Sequence, residues 1–350
     1  MVQIESKPLL YVMAWVALMF NAMFLVLVVS GQPLTRAATR HEYRRTCMGS
    51  EFTILIYSDD PKLAKDAAET AFARVEALNK ILSDYDPDSE LMRLCDRAGG
   101  PPVAVSDDLF RVLAASLDWA GRSGGAFDPT VGPVVRQWRR ARRERKLPTP
   151  ENLKAASKLV GWRNLTLDPV AKTACLALAG MKLDLGGIAK GFAAQEAVDM
   201  LKARGLDRSL VAAAGDIVAG EAPPGQAGWR VELRPLGPGD PTPPHVILLT
   251  NRSASTSGDA ERYVEIDGVR YSHIVDPKTG LGLTRRSGVS VLAADGATAD
   301  ALATACVVLG GEEGSKLVEM TPSAASIFMN RTDRGVEIRR SDRLPAGLKD

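Results

Sequence analysis

The sequence predicts an α+β fold, on two observations. Stretches of helical period and short apolar strands alternate irregularly, without the regular strand–helix repeat of a parallel sheet. Short strands then dominate from Trp229 to Val275, and a strand pair closes the chain. At 350 residues, 45% of them apolar, the chain can bury a large core as one domain or two intimately joined ones. A formal net charge of +2 gives no case for nucleic acid, and there is no internal repeat.

Residues 1–8 form a short flank. Leu9 to Val29 carries no charge, and its only strongly polar residue is Asn21. At about 1.5 Å per residue this stretch suits a hydrocarbon core about 30 Å thick, so 9–29 reads as a transmembrane anchor. A cleaved signal is the alternative, because Val28-Val-Ser30 before Gly31 resembles a small-residue cleavage site. Residues 30–46 read as a polar linker, 47–340 as the folded domain and 341–350 as a polar tail. Arg36, Arg40, Arg44 and Arg45 follow the apolar segment, whereas Lys7 and the amino terminus precede it with Glu5 partly opposing. By the positive-inside rule this charge pattern keeps the domain in the cytoplasm. Cys47, Cys95, Cys175 and Cys306 lie far apart without metal-ligand spacing, and are either buried thiols or two disulfides.

Within the domain, Phe52 to Tyr57 is a strand, followed by a helix from about Pro61 to Ile81. Apolar residues recur at helical spacing from Leu109 to Ala120. A helix follows near 151–159, then strands near 164–168 and 175–178, a helix over 188–204 and a strand over 209–214. The prolines between Pro235 and Pro244 exclude a central strand there. Val289 to Ala293 is a strand, Thr298 to Leu309 a helix, and Ala325–Asn330 pairs with Val336–Arg339 around a polar turn. Arg136 to Lys146 carries seven basic residues against Glu144. This run is either a solvated helix face or a contact for anionic lipid or an acidic partner.

Met181-Lys-Leu-Asp-Leu-Gly-Gly-Ile-Ala-Lys-Gly191 carries the most chemistry. An apolar strand ends in Asp184, two glycines let the backbone approach a ligand, and Lys190 follows as a helix begins at about Ile188. Carboxylate, bare backbone, cation and helix N-terminus together suit phosphates and a metal. Ser123-Gly-Gly-Ala-Phe-Asp-Pro-Thr130 sets an aromatic ring beside a carboxylate, as the wall of a planar-ligand site would. Ser255-Thr-Ser-Gly-Asp259 reads as a phosphate-contacting turn or an ordinary polar hairpin. In Ser272-His-Ile-Val-Asp-Pro-Lys-Thr-Gly280 a histidine leaves a strand with Asp276 near, placed to exchange protons or to serve structure alone. Asp300 and Thr304, four apart, put two oxygens on one helical face, which suits a hard cation such as Mg²⁺ when set beside the Gly-Gly turn.

Together and in this order these clusters resemble the ApbE family of FAD:protein FMN transferases. The matching motifs are Met48-Gly-Ser50, Ser83-Asp-Tyr-Asp-Pro-Asp-Ser-Glu-Leu91, Gly125-Ala-Phe-Asp-Pro-Thr-Val-Gly-Pro133, Leu183-Asp-Leu-Gly-Gly-Ile-Ala-Lys-Gly191, Thr256-Ser-Gly-Asp259, His273-Ile-Val-Asp-Pro277 and Ala299-Asp-Ala-Leu-Ala-Thr304. The resemblance implies an ApbE-like mixed α/β catalytic domain that moves the FMN half of FAD onto a Ser or Thr hydroxyl of an acceptor protein, releasing AMP with Mg²⁺. By motif position it implies that Met48, Tyr85, Ala126, Phe127, Asp128, Asp184, Lys190 and Ile274 contact FAD. The Gly187 carbonyl, Asp300 and Thr304 would hold the metal, and His273 would be the base. It further implies an acceptor in a membrane redox complex and an extracytoplasmic catalytic domain at the cytoplasmic membrane, against the charge rule above. Hydrolysis of FAD to FMN and AMP, or flavin binding without catalysis, are the alternatives. The chain departs from the family at Ala214, where glycine is frequent, at Ala260, where an aromatic is common, and at Cys95, which replaces an asparagine.

Overall fold

The computed structural model describes residues 38–237, 239–259 and 262–347. The anchor or signal segment expected at 9–29, and Ala260, lie outside them. Among the described residues no helix is long and apolar enough to cross a membrane. The chain runs β1 (Thr39–Cys47), β2 (Ser50–Ser58), α1 (Pro61–Leu82), α2 (Glu90–Asp96), β3 (Val103–Ala104), α3 (Asp107–Arg122), α4 (Gly132–Glu144) and α5 (Pro150–Ser157). It continues through β4 (Leu165–Asp168), β5 (Thr173–Leu176), α6 (Ala189–Lys202), β6 (Ser209–Ala213), β7 (Asp216–Ala219), β8 (Trp229–Leu233), β9 (His245–Leu249) and β10 (Arg252–Gly258). Last come β11 (Tyr263–Ile266), β12 (Val269–Ser272), β13 (Ser287–Ala293), α7 (Gly296–Leu309), α8 (Gly311–Glu319), β14 (Ala325–Thr332) and β15 (Gly335–Arg340).

The main sheet has the order β1-β2-β6-β7-β10-β13-β14-β15, with every neighbouring pair antiparallel. Both faces are covered, because strand residues alternate between two apolar clusters. In β2, Phe52, Ile54 and Ile56 are fully buried on the helical side with α1, α6 and α7. Leu55 and Tyr57 point the other way, where the β8–β9 hairpin contributes Trp229, Val231, Leu233, Ile247 and Leu249. The helices start where the chemistry favours it. Asp60 accepts the N–H groups of Lys62 and Leu63 at 2.9 and 3.0 Å ahead of Pro61, and Asp295 accepts that of Thr298 at 2.9 Å. Helix α7 is apolar almost all round and lies buried, so its Asp300 is an acid inside the protein.

Four expectations are corrected. The linker expected over 30–46 is strand from Thr39 onward. β1 pairs with β2 from Thr39↔Ser58 to Cys47↔Ser50 through a two-residue Met48-Gly49 turn with φ of 50° and 69°. Arg40, Glu42, Arg44 and Thr46 face solvent while His41, Tyr43, Arg45 and Cys47 face inward, so a polar edge strand looks like linker by composition. The tail expected from 341 begins inside the domain, since Arg343 donates to the carbonyls of Ala324 and Val318 and Leu344 packs on the second core. The apolar strand expected at Met181–Asp184 is extended but unladdered. Met181, Leu183 and Leu185 are buried in strand-like alternation, but no strand pairs with them: Leu183 N–H donates to the Cys95 sulfur on α2 at 3.2 Å and Asp184 N–H to the Pro129 carbonyl at 2.8 Å. Finally, Ser255–Gly258 is the end of central strand β10, neither turn nor hairpin tip. All four cysteines are free thiols, and Cys47, Cys95 and Cys306 are buried.

Candidate active site

A cavity of about 1110 Å³ opens beside the end of the main sheet, slightly larger than the usual range for small-molecule sites. Six separate segments supply its expected residues. Met48 comes from the β1–β2 turn, Tyr85 from the loop after α1, and Ala126, Phe127 and Asp128 from the glycine turn after α3. Asp184, Gly187 and Lys190 come from the loop entering α6, His273 and Ile274 from the loop after β12, and Asp300 and Thr304 from α7. All twelve residues singled out in the sequence line this one space.

At the α6–α7 junction the backbones touch. A Cβ on Gly191 would lie 2.1 Å from the Gly296 carbonyl oxygen, and one on Gly296 equally close to that of Gly191. This approach delivers Asp300 to the start of α6, where its carboxylate accepts the Gly191 N–H at 3.1 Å. One turn along α7, the Thr304 hydroxyl lies 2.8 Å from where a Cβ on Gly187 would be. Carboxylate, hydroxyl and the Gly187 backbone therefore converge as an all-oxygen donor set. Burial, and then the charge of Asp216, push the Asp300 carboxyl up to about 7 against the pull of Lys190. A cation at these oxygens would favour the ionised carboxylate. The residues fit a hard divalent ion. Among the described residues no cluster of three or more His, Cys, Asp or Glu side chains could hold a metal, and the set here draws on one carboxylate, a hydroxyl and backbone instead.

Lys190 pairs with the buried Asp216, whose other oxygen accepts the Ser255 hydroxyl at 2.6 Å. Burial works against the charged lysine, but Asp216 and Asp300 outweigh it and raise its pKa, so Lys190 is a fixed cation. His273 leaves β12 with both its backbone N–H and ring Nδ1 on the Arg262 carbonyl, at 3.0 and 2.9 Å. A carbonyl only accepts, so Nδ1 carries the proton and Nε2 presents its lone pair. The ring keeps solvent contact yet is walled by protein. Loss of bulk water, with Arg262, Arg142 and Lys190 positive around it, lowers its pKa to about 4, and it stands neutral at pH 7. Asp276, expected beside the imidazole, instead accepts the Lys278 N–H at 2.9 Å and the Thr279 hydroxyl at 3.2 Å.

The opposite wall is planar and acidic. Tyr85 is 72% exposed at the rim, with the Arg139 guanidinium 4.1 Å from its ring centre. Arg139 also bridges Asp84 at 2.5 Å and Asp184 at 2.9 Å. Burial and neighbouring Asp184 push the Asp84 carboxyl up to about 6, with Arg139 restraining the rise. The Asp128 carboxylate is committed to the protein, accepting from the N–H and hydroxyl of Thr130 and the Trp162 N–H, so it shapes the Ala126–Phe127 turn. Ser257, from the Ser255–Asp259 cluster, lines the cavity as well, whereas sequence reasoning assigned no site role to Arg139, Arg142 or Asp216, which line or brace it. For the arginines a signal was present. Val131, Val135, Trp138, Arg139 and Arg142 fall on one helical stripe, so the basic run shares a face with apolar residues and is not wholly solvated.

The chain is similar to known proteins in sequence and in fold. Residues 48–328 match the family model described as "ApbE family". A FAD:protein FMN transferase of Treponema pallidum is 38% identical over 312 residues, covering 84% of this chain and 86% of that relative. One from Vibrio cholerae is 32% identical over 293 residues, covering 82% and 86%. The apo crystal structure of Pseudomonas stutzeri flavinyl transferase ApbE superposes with a TM-score of 0.79 at 29% identity, covering 89% of this chain and 97% of that one. In sequence along most of its length and in fold, this chain belongs to the ApbE family.

Proposed function

We propose that the chain is a FAD:protein FMN transferase, as its relatives are named, and that it uses Mg²⁺ to move FMN onto a Ser or Thr hydroxyl with release of AMP. The observation that carries the reading is the convergence, in one cavity, of a neutral histidine with a free Nε2, an anchored lysine and an all-oxygen donor set. In this reading Met48, Ala126, Phe127, Ile274 and Tyr85 supply apolar and aromatic surface for the flavin and adenine rings. His273 accepts the proton of the acceptor hydroxyl. The freed oxygen attacks the phosphorus of the FMN half, the bond from that phosphorus to the bridging oxygen breaks, and AMP leaves with that oxygen. Lys190, held by Asp216, stays charged throughout and faces the charge that develops. Gly187, Asp300 and Thr304 would hold Mg²⁺, which when bound supplies charge neutralisation at the pyrophosphate.

The test is to incubate the purified full chain with FAD, Mg²⁺ and candidate acceptor domains from membrane redox complexes. Flavin should become covalent on the acceptor with one AMP released per flavin. Free FMN in place of labelled protein would make water the acceptor, and unchanged FAD would leave a binding module.

A further inference from the structure

Much of the positive charge in the cavity is already spoken for. Lys190 is matched by Asp216, and Arg139 by Asp84 and Asp184. Arg234, also in the lining, is matched by Glu232 at 2.9 Å. The two remaining guanidiniums of the lining are Arg142 on α4 and Arg262 just ahead of β11, and among the described residues neither has an acidic partner. Both sit near the candidate base. Arg262 holds the His273 ring and backbone through its own carbonyl, and Arg142 and Arg262 both act electrostatically on the imidazole. Arg142 is reached from the cavity wall along the stripe Val135, Trp138, Arg139. Trp138 anchors that stripe by donating its indole N–H to the Gly280 carbonyl at 2.8 Å. Two guanidiniums that line one cavity and act on one imidazole, without an acidic partner among the described residues, both favour an anion bound beside that ring, and the planar guanidinium fork matches phosphate oxygens.

We infer that Arg142 and Arg262 form a phosphate subsite beside His273 that takes the phosphate groups of the flavin donor and of the departing AMP. The inference rests on the flavin reading of the cavity and adds the residues that distinguish a phosphorylated flavin from riboflavin. The subsite also makes AMP a ligand of the free enzyme, competing with FAD.

The experiment compares three ligands on the purified full chain: FAD and riboflavin by flavin fluorescence, AMP by calorimetry. Arg142→Gln and Arg262→Gln should each weaken FAD and AMP about tenfold or more, the worth of one charge-assisted contact, and leave riboflavin within about twofold. Arg→Lys at each position, which keeps the charge and loses the fork, should fall between. Unchanged FAD and AMP binding in both glutamine variants overturns the subsite and leaves these charges to the acceptor protein. Equal losses for riboflavin and FAD also overturn it, since the arginines then only support the wall. A wild-type chain that binds FAD and AMP but labels no acceptor and releases no AMP overturns the transfer reading instead, and leaves the subsite standing.

Discussion

His273 concentrates the residue-scale argument. Its Nδ1 proton is committed to a carbonyl, and its neutral form is favoured first by burial and then by three nearby cations. A base acts only when unprotonated, and a lowered pKa extends that form to lower pH. At saturating Mg²⁺, which would keep Asp300 ionised, transfer rate should therefore hold through the usual histidine range near pH 6.5 and fall only as pH drops toward about 4, as a pH–rate profile on a stable acceptor will show. His273→Ala should slow transfer by roughly 10²- to 10⁴-fold while FAD binding persists. Unchanged transfer would assign the ring to structure. Asp300→Ala should cost on the order of a thousandfold in rate and abolish the response to added Mg²⁺; wild-type turnover in excess EDTA would remove the metal from the reaction. Ala214, where the family resemblance implies glycine, sits at φ 55° in the β6–β7 turn. Ala214→Gly should relieve that left-handed backbone and stabilise the fold by about 0.5–1 kcal/mol in urea unfolding, with the entropy cost of glycine limiting the gain. The residues legible in the sequence were those whose type announces chemistry, a lone histidine or an acid after glycines. Asp216 and Arg139 were harder to read, because their roles exist only through partners 26 to 55 positions away.

At the scale of elements, the site depends on how closely α6 and α7 cross. Gly191 and Gly296 meet backbone to backbone, and this contact carries both Lys190 and Asp300 to the cavity. No side-chain rotation can accommodate a methyl 2.1 Å from a carbonyl oxygen, so the helices must separate. Gly191→Ala should cost about 3 kcal/mol or more, read as a lowered urea midpoint, and should reduce turnover even where the protein stays folded. A variant of normal stability and activity would mean that the crossing is not tight in solution. Helices with a regular apolar stripe and a capping residue, such as α1, were legible almost to their ends. β1 was not, since an edge strand needs apolar residues on one face only and here that face includes Arg45, stacked 4.6 Å from Phe72. β10 read as a turn because Ser and Thr favour turns locally, whereas its neighbours β7 and β13 supply ladders on both sides. Met181–Asp184 shows the converse, strand alternation without a ladder, because the pattern reports burial and not hydrogen bonding.

For the whole molecule, the open question in the sequence was topology, and the fold changes the weight of one argument. Four arginines after the apolar segment 9–29 favour a cytoplasmic domain by the charge rule. Three of them lie in β1 and have structural work there. Arg40 and Arg44 pair with Glu42, while Arg45 reaches Glu69 and Glu76 and covers Phe72. Their presence is thus accounted for by an edge strand that must be charged and by packing on α1, so it is weaker testimony about the membrane than the same residues in a linker. Long domains also cross membranes despite unfavourable flanks. The expected outcome is a catalytic domain on the outer side of the cytoplasmic membrane, tethered or released at the segment 9–29. Protease added to intact spheroplasts making the full chain should digest the domain or find it already in the medium. Protection in intact spheroplasts, followed by digestion once the membrane is broken, would place it in the cytoplasm and make the arginine flank a true retention signal. In that case the acceptor hydroxyl would have to be presented on the cytoplasmic side as well, because the cavity that holds His273 and Asp300 belongs to the same folded unit as β1.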